Sequence, residues 1–126
     1  MQIQLNKVLQ IHSFCNKIKE EKMSLALAYK FAQLSDSLES QVSFYQDRYN
    51  RILDTYAEKD EYGQFIQKDE NSIQLKKGAA ENCTKEINEL DSMQVSIENI
   101  EFEFEQLEEL SLTPSDVQIL LPFIKK

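Results

Sequence analysis

The sequence predicts a mainly α fold with a minor β part. A long helix packs in an antiparallel helical hairpin, joined by a short β-hairpin, an edge strand and a C-terminal latch helix. Three observations carry this reading. No Gly or Pro stands between Ser24 and Gly63. Over that stretch Phe31, Leu34, Leu38, Val42, Tyr45, Tyr49, Ile52 and Tyr56 recur at steps of three and four, a heptad-like stripe. Later the period changes to two, where Ile100, Phe102 and Phe104 alternate with Glu101, Glu103 and Glu105. With 126 residues, 41% of them hydrophobic, the chain suits a single domain over residues 1–126 with a thin core.

The first helix is expected over residues 4–20, where Leu5, Val8, Leu9, Ile11, Cys15 and Ile18 fall on one face. His12 borders that face; a hydrogen-bonded, half-buried His outweighs a ligand role, because the chain has no second His. Glu20-Glu21-Lys22 reads as a solvated break. Ser24 is the expected N-cap of the long helix over 24–58, on the order of 50 Å at about 1.5 Å per residue. A helix that long needs an antiparallel partner, a second subunit, or both.

Residues 59–75 are rich in turn formers. Gly63 is expected to stop the long helix or its trailing turn, and 64–67 to pair with 72–75 across Lys68-Asp69-Glu70-Asn71. A calcium loop is excluded: counted from Asp60, the third and fifth positions are Tyr62 and Gln64, not oxygen ligands of the required kind. A third helix is expected over 76–92, with Ala80, Cys83, Ile87 and Leu90 facing the long helix and Tyr49 beside Ala80 and Cys83. Residues 94–105 read as a strand region bent at Asn99, its glutamates all on one side. Those carboxylates protect an edge from aggregation, or face a basic partner. Thr113-Pro114-Ser115-Asp116 is a capping-box variant that starts a helix over 113–124, bending or ending at Leu121 before Pro122.

Composition excludes several activities. Two glycines do not build a phosphate-cradling loop, and one His with two Cys does not make an ordinary zinc site. No metal and no cofactor is expected. The first residues do not read as a secretory leader and no membrane-spanning run is found, so no membrane partner is expected, and Cys15 and Cys83 are expected to be reduced core residues. The net charge of −8 is uneven: residues 1–59 carry +1 and residues 60–126 carry −9. The acidic half argues against duplex nucleic acid, which needs a basic face. Any of 22 carboxylates can be drawn into an acid–base pair, so catalysis has no specific signal and no enzyme activity is expected.

Two groups of residues are candidate binding sites. Lys30, Tyr45, Arg48, Tyr49 and Arg51 lie on or beside the long helix's aromatic stripe. Arg with Tyr suits a phosphate and a stacked base, as in a small nucleotide. The same arginines are equally a helix flank, with Arg51 in reach of Asp47 or Asp54. Glu98, Glu101, Glu103 and Glu105 form an acidic surface suited to a basic partner.

Several blocks then carry a family resemblance: Ala28-Tyr29-Lys30-Phe31-Ala32-Gln33-Leu34, Tyr45-Gln46-Asp47-Arg48-Tyr49-Asn50, Tyr56-Ala57-Glu58-Lys59-Asp60-Glu61-Tyr62-Gly63, Leu112-Thr113-Pro114-Ser115-Asp116 and Leu120-Leu121-Pro122-Phe123-Ile124. Their order over residues 25–124 resembles a family of small phage and prophage proteins described as a domain of unknown function. The family's usual Pro ahead of the first block is replaced here by Ser24-Leu25-Ala26-Leu27. The resemblance implies a phage origin and action in the cytoplasm of the infected bacterial host. It carries no catalytic residues. The functional expectation is a non-enzymatic, homo-oligomeric counter-defence factor that sequesters a nucleotide immune signal or blocks a host immune protein. The alternative is a structural coiled-coil accessory in particle assembly.

Overall fold

The computed structural model describes residues 1–70 and 72–125. Strand β1 (Gln2–Gln4) leads into α1 (Leu5–Ile18), and α2 (Leu25–Tyr56) is the long helix. Strands β2 (Gln67–Asp69) and β3 (Ser72–Ile73) precede α3 (Ala80–Ser92) and β4 (Gln94–Ser96). Short helices α4 (Phe104–Leu107) and α5 (Pro114–Leu120) follow, the latter tightening into a 3-10 turn over Leu121–Phe123. The protein is mainly helical with a minor β part, as the sequence predicts, and among the described residues the β part is two small antiparallel sheets. No described helix is long and apolar enough to cross a membrane.

The stripe on α2 is covered within the chain, with Phe31, Leu34, Leu38, Val42 and Ile52 buried and Tyr45, Tyr49 and Tyr56 half-buried. Helix α1 packs antiparallel on its first half, through Phe31, Leu34 and Leu38, and α3 packs antiparallel on its second, through Tyr45, Tyr49, Ile52 and Tyr56. His12 Nε2 meets Glu39 Oε1 at 3.3 Å across the α1–α2 pair. Ser24 caps α2 as expected, its hydroxyl accepting from the Leu27 N–H. Helix α1 has no side-chain cap; the Leu5 N–H donates instead to the Met93 carbonyl at 2.8 Å, a tertiary bond that local sequence does not show. That bond continues the β1–β4 ladder, in which Ile3 lies opposite Val95. Strand β1 is therefore an addition to the expected element order.

The helix α2 ends at Tyr56, before Gly63. Buried Ala57 turns extended and pairs with Leu75, and Lys59 pairs with Phe65. The Glu58 N–H donates to the Gln74 carbonyl, the Gln74 N–H to the Ile66 carbonyl, and the Ile66 N–H to the Glu58 carbonyl. Three extended segments thus close a ring of backbone bonds, which explains why two short strands hold here. Gly63, at φ +78°, forms the turn at its tip, where Asp60 Oδ1 accepts from the Tyr62 and Gln64 N–H groups. The hairpin is offset from its expected position, and Asn71, part of the expected turn, lies outside the described residues. Helix α3 starts at Ala80, not residue 76: the Lys76 N–H is taken by the Tyr56 carbonyl, and Gly78 sits at φ +78°. Ala80 is exposed, and the α2–α3 register places Cys83 beside Tyr56 instead of Tyr49, with Tyr45 opposite Asp91.

The expected strand region over 94–105 is corrected most. Only Gln94–Ser96 is strand. Val95, Ile97, Ile100 and Phe102 are buried as the alternation requires, but Phe104 is 59% exposed. The alternation fails because Glu103 caps a helix: its side chain and that of Gln106 form a capping box. Phe102 is fully buried, its ring 4.6 Å from that of Phe31, and its backbone bonds both the Phe123 carbonyl and the Lys125 N–H. The glutamates therefore do not form one row on a strand face.

The C-terminal latch is as expected. Thr113 and Asp116 cap each other's backbone at the start of α5, and the helix stops at Leu120. Asp116 is buried against α1, where Lys17 Nζ donates to it at 3.3 Å. Hydrogen bonding to Thr113, its backbone N–H first, holds the Asp116 carboxyl below the usual range, with Lys17 adding to the effect.

Phe102→Ala is expected to cost about 3–5 kcal/mol, and Phe104→Ala to stay within about 0.5 kcal/mol of wild type, in urea denaturation. Because the Asp116 carboxyl titrates lower folded than unfolded, its contribution is full above about pH 4 and is lost as pH falls through the lowered value. The stability gap between wild type and Asp116→Asn should therefore close as the pH is taken below about 4.

Candidate functional site

The five residues proposed for an anionic ligand do not converge. Lys30 and Arg48 are on one helix but eighteen positions apart, about 27 Å along the axis at about 1.5 Å per residue. Lys30 Nζ donates to the Glu101 carbonyl at 2.7 Å and to Gln106 Oε1 at 2.8 Å, and lies 5.8 Å from the centre of the Phe102 ring. It clamps the 101–106 segment onto α2.

Tyr45 and Tyr49 stack on each other, with centroids 5.8 Å apart and planes 17° from parallel. Both pack into the α2–α3 seam, and the Tyr45 hydroxyl donates to Asp91 Oδ1 at 2.6 Å. Burial, and then that bond, push the Tyr45 pKa up. The neighbouring Tyr56 hydroxyl is likewise raised, chiefly by its hydrogen bond to Glu86. These tyrosines hold α3 in place, with the stacked faces turned to each other.

Arg48 and Arg51 are exposed and make no ion pair among the described residues. Asp54, one expected partner of Arg51, pairs with Lys59 at 2.9 Å instead. Arg48 lines a groove between α2 and α3 with Phe44 and Ile52 on its own helix and Glu86, Glu89 and Met93 opposite. Phe44 and Met93 had no signal in the helical stripe, since they fall just off it. Neither thiol is activated: burial raises the Cys15 pKa to about 11 and raises that of Cys83 also.

The acidic surface is assembled differently from its expectation, and more firmly. Glu103 serves as the cap of α4 and pairs with Lys125 at 3.4 Å. Glu109 accepts from both the backbone N–H and the hydroxyl of Ser24, each at 2.8 Å. With the Lys30 clamp, these bonds fix the 101–109 segment across the first turns of α2. Glu98, Glu101, Glu105 and Glu108 keep their carboxylates exposed and without an ion pair among the described residues. Phe104, also exposed, falls between Glu101 and Glu105 along the same segment. Leu25 and Tyr29, also exposed, lie on the α2 turns that the segment crosses. Phe104 is the residue that sequence reasoning placed inside; the glutamate three residues from Gln106 was the available signal of a cap.

Comparison with known proteins finds no matching family model, no matching curated protein and no matching solved structure.

Tyr45→Phe is expected to lower stability by about 1 kcal/mol through loss of the Asp91 bond, while Arg51→Ala stays within about 0.5 kcal/mol of wild type, in paired thermal melts.

Proposed function

We propose that this chain is a non-enzymatic, phage-encoded binding protein that blocks a host immune protein in the cytoplasm of the infected bacterium. The supporting observation is the braced 101–109 segment: an exposed aromatic side chain set among uncommitted carboxylates on a backbone that is already ordered. A buried aromatic anchor with a charged rim is the usual composition of a protein interface, and a preordered surface loses little entropy on binding. The carboxylates steer the surface toward a basic partner. The phage origin rests on the resemblance of the sequence blocks alone.

Sequestering a nucleotide is the less favoured role for these residues. Of Lys30, Tyr45, Arg48, Tyr49 and Arg51, only the two arginines retain uncommitted side chains. We also propose that the protein self-associates. The surface used is not the α2 stripe, because α1 and α3 already cover it, and this weighs against a simple coiled-coil accessory.

The test is plaque formation on an immune bacterial host that expresses the protein. Wild type is expected to restore plaques. Phe104→Ala combined with Glu101→Lys and Glu105→Lys should abolish the effect, and Arg51→Ala should retain it. If Arg51→Ala abolishes it and the surface variant does not, the nucleotide reading replaces this one. If wild type restores no plaques on any immune host, counter-defence is rejected.

A further inference from the structure

We infer that the groove between α2 and α3 seats a second copy of this chain, the two copies meeting about a twofold axis. This rests on the self-association proposed above and gives it a surface. The groove encloses about 290 Å³. Phe44 on the α2 wall is 39% exposed and Met93 at the end of the α3 wall is 44% exposed. Neither is needed by the α2–α3 seam, which Tyr45, Tyr49 and Leu90 fill. Aromatic and methionine side chains of this kind are enriched where protein surfaces bury one another.

The charges select the occupant. The α2 wall carries Arg48 and the α3 wall carries Glu89; both are exposed, and neither has an ion-pair partner among the described residues. In a twofold contact every cross-pair occurs twice, so a surface must complement its own image. One uncommitted cation and one uncommitted anion on opposite walls meet that condition: Arg48 of each copy faces Glu89 of the other. The 101–109 surface does not, since its free charges are all negative and its image repels it. Of the two grooves beside α5, one has its Lys17 and Asp116 already paired with each other, and the other is lined by Lys7 with no carboxylate to face its image.

Light scattering at micromolar concentration, with circular dichroism to confirm folding, tests the contact. Wild type is expected to be a dimer. Arg48→Glu and Glu89→Arg each place like charges at both cross-pairs and should weaken the dimer by about tenfold or more. An equal mixture of these two variants should re-form a dimer, because each mixed pair again joins opposite charges, and the double variant should dimerise alone. A monomeric wild type overturns self-association and the groove together. A dimer that Arg48→Glu, Glu89→Arg and Phe44→Ser all leave intact keeps self-association and overturns the groove. Two weakened variants that fail to pair on mixing overturn the twofold arrangement.

Discussion

Phe102 is the contact on which the rest of the molecule depends. Its ring lies against Phe31 at the start of the long helix, and Phe31 in turn faces Phe14 of α1 at 6.1 Å. Its backbone is bonded to the C-terminal turn on one side and to the residue after it on the other. One fully buried aromatic residue thus joins the first helix, the second helix and the end of the chain. A thin core leaves few such junctions, so the loss of one is felt across several elements. Lys30, lying over the same ring, converts the packing into a clamp on the neighbouring backbone.

That arrangement decides which side chains remain free to bind. The long helix is covered by a different partner on each half; Tyr45, Tyr49 and Tyr56 are committed to the α3 seam, and Lys30 and the Ser24 cap to the 101–109 segment. Two of the surfaces left outside differ in charge. One end of the helix carries the acidic segment with Phe104 at its centre, a surface of a single sign. The other carries a groove with both signs on its walls. A surface of one sign suits a different molecule, and a surface of both signs suits its own copy.

Periodicity made the helices legible, because burial on a helix follows the three-and-four spacing and the caps at Ser24 and Thr113 are local chemistry. The core of the 95–102 segment was legible for the same reason. The strand that alternation predicts holds only over Gln94–Ser96, because alternation reports which residues are buried and not which backbone bonds they make. Glu103 and Gln106 interrupt the pattern with a cap, and Phe104 leaves the core. The strand at residues 2–4 depends on a partner ninety or more positions away, which no local window contains. Of the expected ligand residues, Lys30 is separated from the others by the length of the helix, and Lys30 and Tyr45 are engaged by other elements, which residue type and helix position alone do not reveal; Arg48 and Arg51 stay exposed.

The placement of Phe102 has a consequence for the order in which a growing chain settles. Helices α1, α2 and α3 can pack as soon as they leave the ribosome, since the contacts among them need nothing later in the sequence. The backbone of Phe102 has its partners only when residues 123 and 125 have been made. Synthesis proceeds at about 5–20 residues per second, so for about a second or more after residues 101–109 are made the Phe102 backbone lacks these partners. Until then the chain presents Phe102 and Phe104 together to whatever is nearby. The finished fold separates them, drawing one into the interior and leaving the other outside.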